Sequence, residues 1–152
     1  MDVVQLLQRQ FIDYMKSLYR EHYLDDQFNQ LQKLADESSP DFVIEVVTLF
    51  FQDSEKLLEN LSKALEQPAV DFNQVANHAH QFKGSSSSIG AHRVKNQCVK
   101  FRAFCEEKNR DGCLACLQEL QQEYVVLKKK FEILFQLEQE IVKNGGTVPT
   151  MD

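Results

Sequence analysis

"FNQVANHAHQFKGSSSSIG", residues 72–90, is the stretch that decides the fold class. Its apolar and small residues recur at steps of three and four, which is the period of one face of an α-helix. These positions are Phe72, Val75, Ala76, Ala79, Phe82, Ser86 and Ile89. The rhythm continues through Gly84 and the four serines after it, although that composition is also typical of flexible linkers. Because a linker would lose the helical phase, the sequence predicts one helix that ends at Gly90.

The same periodicity on both sides of this helix predicts an all-α protein. Further helices are expected over about 40–66, 91–108 and 112–143, which together with 72–89 would form a four-helix bundle. Shorter apolar patterns within 3–23 and 28–34 predict additional N-terminal helices packed against that bundle. We interpret residues 1–143 as a single domain, with N-terminal helices in 1–37 and the bundle in 40–143. Residues 144–152 are expected to form a flexible tail.

Polar residues mark the expected helix starts. Ser39 is expected to cap the helix over 40–66, because Pro40 after it suits the first helical position. Asp71 and Gln74 form a possible capping box at the start of the helix over 72–89. The segment "KNRDG", residues 108–112, is expected to stop one helix before the next begins.

Composition and charge disfavour several classes of protein. The chain has 152 residues and a formal net charge of −6, whereas nucleic-acid binding requires a basic surface. No stretch approaches the roughly 18 consecutive apolar residues of a membrane span, and the N-terminus does not resemble a signal peptide. We therefore expect a cytoplasmic and nuclear protein without a nucleic-acid or membrane partner.

One side of the helix over 72–89 carries reactive groups. At about 100° per residue, His80, Lys83, Gly84 and Ser87 fall on one flank, and His78 falls on the opposite one. A neutral imidazole nitrogen is a competent nucleophile, and a lysine ammonium can hold phosphoryl oxygens. A glycine leaves bare backbone that a partner protein can approach closely. Residue types alone leave a blander alternative, in which the histidine and lysine are solvated and the serines serve close helix packing.

The cysteines and the other histidines permit a metal or redox interpretation, which we weigh as weak. The C-x-x-C at 113–116 is half of a zinc site without a second pair, and a redox motif requires a βαβ setting that is absent. Cys98 and Cys105 fall on the buried side of their helix, where free cysteine acts as a small hydrophobic residue. We expect no bound metal, thiols at Cys98, Cys105, Cys113 and Cys116, and ordinary polar roles for His22, His78 and His92. Whether oxidation affects these thiols stays open.

"HQFKGSSSSIGA", residues 80–91, resembles the signature H-x-x-K-G-[S/A]-S of histidine-containing phosphotransfer (HPt) proteins. The segments "SSPDFVIEVVTLFFQDSEKLL" (38–58), "CVKFRAFCEEKN" (98–109) and "CLACLQEL" (113–120) are similar to the plant branch that relays cytokinin signals. The resemblance covers residues 3–143. It implies a four-helix bundle with N-terminal helices packed on one end, which agrees with the prediction from periodicity.

The resemblance also implies a role for each residue of the motif. His80 would carry the phosphoryl group, Lys83 would contact it, and Gly84 would give a receiver domain access. Gln81 and Ser87 would belong to the docking surface. The group would come from a phosphoaspartate on the receiver domain of a hybrid sensor histidine kinase and pass to an aspartate of a response regulator.

A stoichiometric phosphocarrier of this kind needs no ATP site and no cofactor of its own. The receiver domain would supply Mg²⁺, because the sequence shows no acidic triad or phosphate loop that would hold the ion. The alternative is a helical adaptor that binds receiver domains without accepting phosphate. Some plant relatives replace the phosphorylated histidine, whereas this chain keeps His80.

Overall fold

Six helices follow one another in a computed structural model that describes residues 2–35 and 39–150 of the chain. They are α1 (Val3–Arg20), α2 (Asp26–Lys33), α3 (Phe42–Glu66), α4 (Phe72–Ile89), α5 (His92–Glu106) and α6 (Arg110–Lys143). Helices α3, α4, α5 and α6 pack in a ring as a four-helix bundle, while α1 lies along α6 and α2 lies against α4. The predicted all-α bundle with added N-terminal helices is therefore confirmed.

Buried aromatic side chains fix the rotation of α4 in the bundle. Phe82 is fully buried, and its ring meets that of Phe50 on α3 edge to face, with 6.3 Å between centroids. The ring centroid of Phe131 on α6 lies 5.4 Å from that of Phe28 on α2. Because successive helical residues are about 100° apart, an inward Phe82 places His80, two residues earlier, on the outward side.

Side-chain caps set the starts of α4 and α6. The Asp71 carboxylate accepts hydrogen bonds from the backbone amides of Asn73 at 3.1 Å and Gln74 at 3.2 Å, so the Asp71 half of the predicted capping box is confirmed. The side chain of Asn109 accepts a hydrogen bond from the Gly112 amide at 2.9 Å. This second cap starts α6 at Arg110, two residues before its predicted start.

The prediction that Ser39 caps α3 is wrong. The Phe42 amide donates to the Ser39 carbonyl at 3.2 Å, which closes a turn and keeps Pro40 outside the helix. Asp41 is the N-cap residue instead, and its side chain makes no capping hydrogen bond. The other residues of the predicted break at 36–38 lie outside the described part of the chain.

Two residues in the left-handed conformation accompany earlier helix ends than periodicity predicted. His22 has φ 63° just beyond α1, which ends at Arg20. Lys108 has φ 53° just beyond α5, which ends at Glu106. Glycine is the residue that usually marks a left-handed helix end, and neither of these two is glycine. The apolar pattern therefore gave no sign of either reversal.

The end of α4 is tied to the connection between α1 and α2. Gly90, with φ 76°, ends α4, and its carbonyl accepts a hydrogen bond from the Asp25 amide at 3.0 Å. The His92 amide donates in turn to the Tyr23 carbonyl at 3.2 Å. These two bonds fix where the helix that carries the reactive flank ends relative to the N-terminal helices.

Replacing Gly90 by alanine is expected to lower the free energy of unfolding by about 3 kcal/mol, because the left-handed φ disfavours any side chain. The added Cβ would also lie 2.5 Å from the Phe28 amide nitrogen and 2.7 Å from an Asp25 carboxylate oxygen. Urea denaturation followed by circular dichroism measures the change. An unfolding midpoint equal to that of the unmutated chain would contradict the assignment of this contact.

Residues 144–150, the described part of the expected tail, turn back over the end of the bundle. Gly145 has φ 85°, and the Gly146 amide donates to the Ile141 carbonyl at 2.9 Å. The Gln8 side-chain amide then donates to the Thr147 carbonyl at 2.8 Å. Val148 packs against the hydrophobic core. The flexibility of the tail itself stays a prediction.

Candidate functional site

The reactive flank predicted from the sequence lies on the solvent side of α4. His80 and Gly84 are exposed one turn apart, and Lys83 and Ser87 are half-buried at the edge of the same side. Among the described residues, no group donates to or accepts a hydrogen bond from the His80 ring. Both ring nitrogens therefore face solvent without a competing partner.

Lys83 and Gln81 extend the site in opposite directions. Lys83 lies on the α5 side, close to the Cys98 thiol. Burial raises the pKa of that thiol to about 12, and the nearby Lys83 ammonium opposes the rise. Gln81 lines a groove toward α3 together with Asp53 and Lys56. Sequence periodicity missed these two α3 residues, because it does not show which positions of a neighbouring helix meet α4.

Gly84 occupies a position where the fold does not require glycine. Its backbone is helical, and a Cβ built on it would have no atom within 4 Å outside the immediate helix backbone. An exposed glycine inside a helix costs about 1 kcal/mol relative to alanine. The free chain thus has space for a larger residue at this position, so packing within the described chain does not explain the glycine.

The serine run lies within the helix, and three of its four hydroxyl groups donate to backbone carbonyls of that helix. Ser85 and Ser86 both donate to the Phe82 carbonyl, at 3.1 Å and 2.7 Å, and Ser88 donates to the Ser85 carbonyl at 2.8 Å. Ser86 is fully buried in the core. The prediction that the helix runs through the serines to Gly90 is confirmed.

The other histidines lie apart from this flank. His78 is half-buried and lines a groove with Asn60 and Lys63 of α3. His92 lies at the start of α5 with its Nδ1 atom 3.4 Å from an Asp25 carboxylate oxygen. Because His78 lies in that groove, it does not reach the surface shared by His80 and Gly84.

All four cysteines are buried thiols. Burial raises the pKa of Cys105 to about 12 and that of Cys116 to about 11, and it also raises the pKa of Cys113. Across residues 2–35 and 39–150, no three His, Cys, Asp or Glu side chains are grouped so that they could hold a metal ion. None of the helices in the described chain is long and apolar enough to cross a membrane.

Fold and site together define a class of protein: a helical bundle that presents an unpaired imidazole, beside bare backbone, to a partner. The sequence profile of the Hpt domain matches residues 45–130 of the chain. That match and the relatives described next show that the chain belongs to the Hpt family of histidine-containing phosphotransfer proteins. It is a mediator of a multistep phosphorelay.

Similarity to plant members of the family extends over the whole chain. Histidine-containing phosphotransfer protein 1 of Arabidopsis thaliana is 57% identical over 152 residues, covering 100% of this chain and 98% of the relative. A pseudo histidine-containing phosphotransfer protein 2 of rice is 47% identical over 135 residues, covering 89% of each chain. The solved structure of a histidine-containing phosphotransfer protein from Medicago truncatula superposes with a TM-score of 0.88 at 56% identity, covering 97% of this chain and 98% of that one.

Proposed function

We propose that His80 accepts a phosphoryl group from the receiver domain of a hybrid sensor histidine kinase and passes it to an aspartate of a response regulator, as in cytokinin signalling. The observation that carries this proposal is the exposed His80 ring, which makes no hydrogen bond within the described chain and lies one turn from Gly84. Family membership supports the same reaction class. HPt proteins are phosphocarriers rather than kinases.

The proposed chemistry is two successive phosphoryl transfers. A ring nitrogen of His80 attacks the phosphorus of a phosphoaspartate, the bond from phosphorus to the aspartyl oxygen breaks, and a phosphohistidine and a free carboxylate result. An aspartate of the response regulator then attacks that phosphorus and restores the imidazole. Lys83, one turn along α4, contributes positive charge next to the phosphoryl oxygens.

The partner is proposed to supply the metal ion that the reaction requires. In-line phosphoryl transfer requires charge neutralisation by a metal ion and cations. Within the described residues no acidic cluster could hold such an ion, which supports the proposal that Mg²⁺ belongs to the receiver domain. Gln81, with Asp53 and Lys56 across the groove, and Ser87 on the other edge would border the docked receiver domain.

The carrier is further proposed to act in both cytoplasm and nucleus. Its mass of 17.7 kDa is small enough for diffusion between the two compartments. Imaging of a photoconvertible fusion after conversion in one compartment tests this. Signal that never crosses into the other compartment would contradict the proposal.

Incubation with a receiver domain phosphorylated on its aspartate tests the proposed transfer. We expect label on this chain that is lost in acid and retained in base, as for phosphohistidine. We expect the label to leave the chain when an unphosphorylated response regulator is added. A stable complex with the receiver domain but no label on this chain would favour the adaptor alternative instead.

Replacing Lys83 by alanine is expected to slow transfer from the receiver domain by about tenfold, because one cation beside the phosphoryl group is lost. Lys83→Arg should retain more of the rate because the charge remains. Rapid-quench measurement of label on His80 gives the rates. The matched control is Lys63→Ala, which removes an exposed α3 lysine that is paired with Glu59 at 2.8 Å. Equal rates for the Lys83 and Lys63 variants would contradict the role of Lys83.

A further inference from the structure

Two cysteines outside the phosphotransfer site lie close together at the corner between α5 and α6. The Sγ atoms of Cys105, near the end of α5, and Cys113, near the start of α6, are 3.9 Å apart. Cys105 is 5% exposed and Cys113 is fully buried. This pair differs from the C-x-x-C motif that stands out in the sequence, because the structure directs Cys116 elsewhere. Its thiol donates to the Gln97 carbonyl at 3.4 Å.

The backbone holds this corner in a tight, well-bonded turn. The Lys108 amide donates to the Cys105 carbonyl at 3.0 Å, and the Cys113 amide donates to the Asn109 carbonyl at 3.0 Å. Arg110 adds a bond from its Nε atom to the Leu65 carbonyl at the end of α3, at 3.0 Å. A disulfide bond of about 2.05 Å requires the two sulfur atoms to approach by less than 2 Å. The turn that aligns the two helices therefore also aligns the two thiols.

We propose that Cys105 and Cys113 form a covalent modification site that hydrogen peroxide converts to an intramolecular disulfide. In the first step the Cys105 sulfur, the more exposed of the two, attacks a peroxide oxygen. The O–O bond breaks, and the products are a sulfenic acid and one water molecule. In the second step the Cys113 sulfur attacks the sulfenic sulfur, the S–O bond breaks, and a second water molecule leaves. Two thiols and one peroxide thus give one disulfide and two waters.

The environment of the pair predicts slow formation of a durable bond. Burial raises the pKa of Cys105 from 9.0 to about 12, so the reactive thiolate is much rarer at neutral pH than in an exposed cysteine. The greater nucleophilicity of a more basic thiolate offsets only part of this loss. The reaction should therefore run more slowly than that of an ordinary exposed cysteine. Once formed, the disulfide would be buried and hard for thiol reductants to reach.

Peptide mapping after peroxide treatment of the full chain tests the proposal. The remaining thiols are alkylated before digestion, and mass spectrometry then identifies the linked peptides. We expect one linkage between Cys105 and Cys113, with Cys98 and Cys116 alkylated. A linkage between Cys113 and Cys116, a linkage to Cys98, or four alkylated thiols after prolonged treatment would overturn the proposal. So would a sulfinic acid at Cys105 without any linkage.

Matched cysteine variants separate this pair from the sequence motif. Cys116→Ser should form the linkage as the unmutated chain does, whereas Cys105→Ser should form none. If a variant fails to fold, the melting temperature of the unmutated chain decides. Closing this short loop should raise it by about 5 °C relative to the reduced chain, and no rise would count against a bond that fits the native corner. These readouts do not involve His80, so they can fail while the proposed phosphotransfer stands, and the reverse.

Discussion

Replacing His80 by glutamine is expected to abolish phosphoryl transfer, with label from a phosphorylated receiver domain falling at least about 1000-fold, to background. The glutamine amide nitrogen is not nucleophilic, since its lone pair is delocalised into the carbonyl group. The substitution keeps a polar, helix-compatible side chain at an exposed position. Because the His80 ring makes no hydrogen bond within the described chain, the variant should fold with an unchanged unfolding midpoint.

His78→Gln is the matched control for that experiment, because it makes the same chemical change two residues earlier on the same helix. His78 lies in the groove toward α3, away from the solvent side of α4. The His78→Gln variant should therefore accept and release label at the rate of the unmutated chain. Label that persists on the His80 variant, or that is lost only from the His78 variant, would refute the assigned acceptor.

The sequence was a good guide to α4, because the signals needed there are local. The phase set by Val75, Phe82 and Ile89 identified the buried side of the helix, and the outward direction of His80 follows from that phase. The Asp71 cap is local too, since its partners lie two and three residues away. Such features depend on the period and the cap chemistry, which a single sequence contains.

Features that depend on distant parts of the chain were not predictable in this way. Gly90 meets Asp25 and Phe28, more than 60 positions away in the sequence, and nothing in its own segment indicates these partners. The approach of Cys105 to Cys113 depends on how α5 and α6 pack on either side of the predicted break, and the break alone does not fix the distance between the two thiols. The misassigned cap at Ser39 has a local cause instead, because the Phe42 amide donates to the Ser39 carbonyl and closes a turn before the helix begins.

The contrast between Gly84 and Gly90 separates the demands of the fold from those of the partner. Both glycines belong to the same short stretch of sequence, and composition alone does not distinguish them. Gly90 has a left-handed backbone and close neighbours, so the folded chain itself requires it. Gly84 has a helical backbone and open space around its Cα atom. A residue that weakens its helix and satisfies no internal contact is best explained by what must approach it.

Enlarging Gly84 is therefore expected to stabilise the free protein and to damage transfer at the same time. Gly84→Ala should raise the free energy of unfolding by about 1 kcal/mol, and Gly84→Gln by about 0.5 kcal/mol, from helix propensity alone. Transfer from the receiver domain should slow by about tenfold for alanine and on the order of 100-fold for glutamine, because the donor aspartate is held away from His80. Urea denaturation and rapid-quench labelling measure the two effects.

A small phosphoryl donor distinguishes blocked docking from a damaged acceptor in these Gly84 variants. Phosphoramidate needs no protein interface, so it should label His80 in Gly84→Gln within about twofold of the unmutated rate, since the imidazole itself is unchanged. Slow labelling by both donors would show that the substitution disturbs His80 directly. Fast labelling by both would show that the receiver domain does not need the open backbone. Only a defect confined to the protein donor supports the view that α4 carries glycine at this position to admit its partner.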